Sequence, residues 1–366
     1  MFPVSQWRHI ASLLFNPLLQ ATCRRGLTIR STGPIAAGRH LGYKSLAQMP
    51  TRRNGPVSSN VRPHKMSPAP ATSEDAPLEV GNYIVGFMDL LGQRIALRGQ
   101  GLLPDTKSDE GQKKLIEVLK ASVGSISALQ RHAMDMMDAS ESRADSPLRA
   151  HLPAEKQKLW DELMRTKITT QRWSDGLMIF AALADGEITC PMNSVYRLFT
   201  LSGALCLLGL ASKRPLRGAI EIAWGVELHP GELYGAAVAR AYELESEVAD
   251  YPRIVVGPQA VKYLELQSKN PGASPKDQIG KALASLCLQM IVQDADGHYL
   301  IHYLGNTFIG AVTNENHANL FARAEGYVLA QLEQHKNSKN TKLAFRYVHL
   351  AQYFGAHPPQ SASGGA

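Results

Sequence analysis

Two apolar runs, each carrying an aspartate, constrain this chain more than any other feature. The first is Tyr83-Ile84-Val85-Gly86-Phe87-Met88-Asp89-Leu90-Leu91-Gly92. The second is Arg172-Trp173-Ser174-Asp175-Gly176-Leu177-Met178-Ile179-Phe180. Both read as buried strands, and in both the chain must turn or restart next to the acid. A strand end holds a carboxylate rigidly at the rim of a sheet. Two such carboxylates on neighbouring strands can grip one or two hard cations over a nucleoside triphosphate. Taken singly, each has a plainer reading: Asp89 as a helix cap, and Asp175-Gly176 as a hairpin turn.

The flanking pattern sets the fold class. Residues 82–88 read as a buried strand. Gly111 to Asp138 carries Leu115, Ile116, Leu119, Val123, Ile126 and Leu129 at helical spacing. Ser140 to Ala154 is polar, with two prolines, and reads as an insertion. Strands follow at 167–173 and 177–183, then a helix at 193–211, a strand at 217–225, a helix at 234–249 and a short strand at 251–257. A hairpin is expected at 289–293 and 298–303, and closing helices at 316–334 and 341–354. This order predicts an α/β (α+β) sandwich on the βαβ-βαβ plan, ferredoxin-like, with helices packed on a mixed, mostly antiparallel sheet. A C-terminal helical extension completes it.

The formal net charge of +7 is unevenly placed. Ten Arg and Lys and no acid lie before Glu74, leaving 29 basic and 32 acidic residues for the rest. The remainder is mildly acidic, so the basic pI is no argument for nucleic-acid binding. Residues 1–78 form a basic, Ser/Pro/Gly-rich leader expected to be disordered. It has the composition of an organelle transit peptide. The alternative is a translation start at Met66, with the leader outside the working protein. The expected divisions after it are 79–260 as the catalytic domain, 261–356 as a hairpin-and-helix extension, and 357–366 as a loose tail.

Cys23, Cys190, Cys206 and Cys287 have no zinc-site spacing, and Cys206 and Cys287 sit in apolar runs as small hydrophobes. That usage fits a reducing, cytoplasmic compartment. His298 and His302 flank a strand-like Tyr299-Leu300-Ile301, unlike a zinc-binding helix. Asp294-Ala295-Asp296-Gly297 reads as a hairpin turn, because the twelfth place of a calcium loop would hold Gly305 instead of Glu. Leu198 to Ala211 is the most apolar stretch, shorter than the ~20 residues of a membrane span. No membrane partner is expected.

Three blocks resemble class III nucleotidyl cyclases: Phe87-Met88-Asp89-Leu90-Leu91-Gly92, Ser174-Asp175-Gly176-Leu177-Met178, and Tyr234-Gly235-Ala236-Ala237-Val238-Ala239-Arg240-Ala241-Tyr242-Glu243-Leu244-Glu245. With Arg217-Gly218-Ala219-Ile220 and Tyr251-Pro252-Arg253-Ile254-Val255-Val256, the pattern is most similar to the pyrimidine cyclases of bacterial Pycsar antiphage defence. The likeness spans about residues 82–260 in separate blocks. It implies the cyclase palm and two Mn²⁺ (or Mg²⁺) ions held by Asp89, the Leu90 carbonyl and Asp175. Gly92 would open a tight turn whose N–H groups reach the phosphates. It further implies Tyr83 and Arg172 as base and substrate contacts, Arg172 with a catalytic part. A homodimer is implied, because such sites form between two subunits. The expected reaction is UTP to 3′,5′-cyclic UMP and diphosphate, a signal read by a separate effector protein during phage infection. A cytidylate cyclase, a purine cyclase and an inactive cyclase-like dimerisation or sensor module are the alternatives. Purine cyclases carry an Asn and an Arg in the third block where this chain has Ala239 and Glu243. They often carry a purine-reading Lys or Glu where it has Gln171.

Overall fold

The computed structural model describes residues 80–92, 107–121, 123–141, 153–173, 176–184, 186, 188–312 and 317–358. The expectations for the leader, for Ser174 and Asp175, for most of the 140–154 insertion and for the end of the tail lie outside the described residues.

β1 (Val80–Leu90) is buried from Tyr83 to Met88, as an apolar run without polar alternation requires of a central strand. α1 (Asp109–Ala121), α2 (Val123–Glu141) and α3 (Ala154–Met164) follow. The hairpin β2 (Thr169–Trp173) and β3 (Gly176–Ala182) leads into α4 (Met192–Ala211). β4 (Leu216–His229) turns back through β5 (Glu232–Tyr234) into α5 (Ala236–Glu243), which ends in a π-helical turn, Leu244–Val248. β6 (Ile254–Val256), α6 (Pro258–Ser268), α7 (Pro275–Gln289), β7 (Ile291–Gln293), β8 (Tyr299–Ile301), α8 (Asn306–Val312), α9 (His317–Asn337) and α10 (Thr341–Ala356) complete the chain.

The eight strands form one mixed sheet of order β2-β3-β1-β4-β6-β8-β7, with β5 on β4. All neighbours are antiparallel except β4 and β6. Within β2-β3-β1-β4, helices join β1 to β2 and β3 to β4. That is the split βαβ order expected of this element sequence.

The period-2 geometry of β1 sorts its side chains between two cores. Ile84, Met88 and Leu90 enter the larger one, with α4 at its centre and α2, α6, α7, α8, α9 and α10 around it. Tyr83, Val85 and Phe87 enter the smaller one beneath α5, with Met178, Phe180, Leu233, Ala237, Val238 and Ala241. α4 is apolar on all sides because all of its sides are covered. Leu198, Phe199, Leu205 and Cys206 are 0–1% exposed, and each large side chain so buried contributes roughly 2 kcal/mol. By length and composition α4 could cross a membrane, and most of it is buried inside the protein. The apolar element is thus longer than the 198–211 run suggests, and it is a core helix.

Several expectations need correction. The single helix at 111–138 is two, α1 and α2. Ile116 and Leu119 are nearly half exposed on α1, while Leu129 and Ala133 of α2 are buried. The helix at 234–249 is α5 plus the π turn, and the strand at 251–257 shrinks to β6. β5, α3, α6, α7 and α8 were not anticipated. Residues 261–356 are no appendage: β8 pairs with β6, and α7, α9 and α10 pack into the main core.

Candidate functional site

The ladder pairing assembles one row across four strands. Asp89 on β1 faces Gly176 on β3 and Arg217 on β4, and Gly176 faces Trp173 on β2. Directly opposed residues share a sheet face, so Trp173, Gly176, Asp89 and Arg217 line the α5 side together. Asp89 is half-buried at the end of β1, and its carboxylate lies at the rim of the sheet. Asp175 precedes Gly176, the residue opposite Asp89, and is itself outside the described residues.

Leu90 closes β1, its side chain in the large core. The chain then leaves the sheet with Leu91 N–H donating to the Pro215 carbonyl at 2.9 Å. Gly92 follows with φ of +92°, a conformation that only glycine adopts freely, and it is exposed. Leu91 and Gly92 adopt a turn conformation beside Asp89, and residues 93–106 lie outside the described residues.

The two expected base contacts do not join this row. Tyr83 lies at the other end of β1, about 20 Å from Asp89 at the rise of an extended strand. It is 7% exposed and packs edge-on against Phe180 with ring centroids 6.2 Å apart. Within its own chain Tyr83 is a core aromatic. Arg172 pairs with Leu177, so its side chain projects to the face opposite Asp89. There its Nε donates to Gln130 Oε1 of α2 at 2.5 Å, and its Nη2 donates to the same oxygen. Strand alternation explains the displacement: the neighbour of a residue on one face belongs to the other face. Gln171, on the Asp89 face, accepts from Leu233 N–H at 3.1 Å and ties β2 to β5. Ala239 and Glu243 are both exposed on α5.

Other residues stand where chemistry could use them. Arg217 Nε makes an ion pair with Glu245 Oε1 at 2.6 Å; Glu245 is 2% exposed in the π-helical turn. Trp173 and Tyr242, each 46% exposed, stand edge-on to Phe87 at 6.4 and 5.5 Å, an aromatic group beside the Asp89 row. Glu221, opposite Val85, is buried and accepts from the N–H groups of Ile222 at 2.7 Å and Ala260 at 2.9 Å, capping α6. Burial raises its carboxyl above the usual range, and those backbone donors oppose the rise. Counting alternation back from Asp89 along the paired strands would have found Arg217 and Trp173. The π turn that presents Glu245 has no signature in the sequence.

Among the described residues no three His, Cys, Asp or Glu side chains cluster as a metal site. The donors at issue, Asp89, the Leu90 carbonyl and Asp175, are all oxygens, which suits a hard divalent cation and not zinc or copper. The chain matches no protein-family model, no curated protein and no solved structure.

Proposed function

We propose that this protein is a metal-dependent nucleotidyl cyclase of the class III type, acting on a pyrimidine nucleoside triphosphate, UTP first. One observation carries the reading: Asp89 is the penultimate residue of the central strand of a β2-β3-β1-β4 antiparallel block, and the residue opposite it is Gly176, the chain neighbour of Asp175. The positive-φ turn at Gly92 beside it adds support.

In this reaction the ribose 3′-oxygen forms a bond to the α-phosphorus. The bond from that phosphorus to the oxygen bridging to the β-phosphate breaks, and diphosphate leaves. Asp89, the Leu90 carbonyl and Asp175 would hold two Mn²⁺ or Mg²⁺ ions, which lower the pKa of the attacking hydroxyl and screen the leaving phosphates when bound. A turn at Gly92 would bring backbone N–H groups toward the phosphates. The pyrimidine preference rests on the resemblance of the blocks to Pycsar cyclases. Since Tyr83 lies at the far end of β1 and Arg172 projects to the face opposite Asp89, they could serve an Asp89 site only across a homodimer interface. The product, cyclic UMP, would act through a separate effector in antiphage defence.

Asp89→Asn and Asp175→Asn test the pair. Each variant should keep the far-ultraviolet circular dichroism of the parent and lose at least about a hundredfold in cyclic nucleotide formation, as removal of a charged group acting in the transition state does. Loss in only one of them would exclude a shared two-aspartate site. The exposed Ala239 and Glu243 favour a second reading, a cyclase-like module without turnover. Product formation by the parent chain would rule that reading out.

A further inference from the structure

We propose that Arg217 is the cation that binds the substrate's phosphates in this site, oriented for that task by Glu245. The inference rests on the cyclase reading and supplies a cation for the place that Glu243 leaves unfilled. On α5 the place of the family's arginine holds Glu243, and the one guanidinium, Arg240, is exposed and next to Ala239. Arg217 is placed beside Asp89 by the strand register. It is the ladder partner of Asp89, on the same sheet face, which brings the two Cβ atoms to roughly 5 Å.

Its geometry is that of a positioned donor. The Glu245 carboxylate, buried in the π turn, forms an ion pair with the Nε side of the guanidinium at 2.6 Å, without the alignment of a hydrogen bond. The Nη groups make no hydrogen bond or ion pair among the described residues, and the side chain remains 14% exposed, enough to meet a ligand. A planar guanidinium drawn to a carboxylate on its Nε side leaves its two Nη groups for two oxygens of a phosphate. A π turn inserted at the end of a helix often accompanies a functional site. Here it presents Glu245 at the level of the Asp89 row. A purely structural ion pair would need the same contact, so the test must read phosphate binding and not fold alone.

The full-length chain, Arg217→Gln, Arg217→Lys and Glu245→Gln are titrated calorimetrically with inorganic triphosphate in the presence of Mn²⁺, a probe that cannot cyclise. Mn²⁺ binding without triphosphate is followed by electron paramagnetic resonance. The expected result is a loss of triphosphate affinity in Arg217→Gln of about ten- to a hundredfold, the worth of a charge-assisted hydrogen bond. Arg217→Lys, which keeps the charge beside Glu245 but lacks the fork, should lose about tenfold on the same scale. Glu245→Gln, which frees the guanidinium, should weaken binding less than either. Mn²⁺ binding should be unchanged throughout. If Arg217→Gln does not fold, Arg217→Lys decides. A folded Arg217→Lys that binds triphosphate as tightly as the parent overturns the proposal, and so does a parent that binds none. If the parent makes no cyclic nucleotide yet binds triphosphate through Arg217, the cyclase reading fails and the phosphate site stands. If the parent is an active cyclase and Arg217 proves dispensable, the reverse holds.

Discussion

His302 is half-buried between Tyr353, whose hydroxyl lies 2.9 Å from its Nδ1, and His357, whose ring centre is 4.4 Å away. Burial first, and the His357 charge second, lower its pKa from 6.5 to about 4. The folded chain therefore keeps His302 neutral where the unfolded chain binds a proton, and acid favours unfolding. This contribution is complete above pH 6.5 and is lost as the pH falls toward 4. The urea midpoint should decline across that window, and His302→Gln should flatten the decline. A variant profile as steep as the parent's would contradict the assignment. The same dependence on surroundings limited the reading of single residues from sequence. Arg172 and Arg217 are chemically alike, and each flanks one of the key blocks. Only the strand register separates them, placing Arg217 beside Asp89 and turning Arg172 to Gln130 on the other face.

At the scale of elements, the Tyr251-Pro252-Arg253 segment pins the β7–β8 turn to the sheet. Arg253, 3% exposed, lies with its guanidinium 4.5 Å from the Tyr251 ring centre. Its Nη1 bonds Asp294 at 2.5 Å, and its Nη2 bonds Asp296 at 2.5 Å and the Val248 carbonyl at 2.7 Å. Both acids belong to the Asp-Ala-Asp-Gly turn, and their carboxylates are engaged by this arginine. Asp294→Ala would strip a buried charge of one partner and should cost about 3 kcal/mol, read from denaturant unfolding. A cost below about 0.5 kcal/mol, the range of ordinary surface changes, would refute the clamp. Gly218, in the Arg-Gly-Ala-Ile block, is fixed by crowding: an added Cβ would lie 2.5 Å from the Phe87 carbonyl oxygen on β1. Gly218→Ala should destabilise by about 1–3 kcal/mol, as overpacking does, and a neutral result would mean the strands can part. The long periodic elements were legible, because α4, β1, β3 and the α9–α10 pair each bury a continuous face. α6 and α7 were missed although their starts are written in Gly257-Pro258 and in Ser274-Pro275-Lys276-Asp277, a proline at the first turn and a full capping box. Leu266, 62% exposed on α6, blurs the stripe that would have marked that helix.

The C-terminal third is integral to the described sheet and its main core. Leu283 and Cys287 of α7, Phe321 and Val328 of α9, and Leu350 and Phe354 of α10 belong to the same core as α4, and β8 extends the sheet beyond β6. A chain ending at residue 260 would expose that core. At roughly 2 kcal/mol per large buried side chain, the loss exceeds the 5–15 kcal/mol that typically holds a domain together. It should show no cooperative thermal transition; a sharp transition near that of the full chain would restore the idea of a separable catalytic domain. The sequence made the split βαβ order and the placement of Asp89 readable because they depend on local periodicity. It did not reveal that the extension is integral, because β6 and β8 are three residues each and their pairing is long-range. The central claim, that these elements carry a pyrimidine cyclase, is tested most directly by giving the full-length chain Mn²⁺ with ATP, GTP, CTP and UTP at equal concentration and identifying the products by mass spectrometry. The account predicts 3′,5′-cyclic UMP as the dominant product, with diphosphate. A dominant cyclic purine nucleotide would contradict the pyrimidine assignment, and no cyclic nucleotide at all would contradict the cyclase.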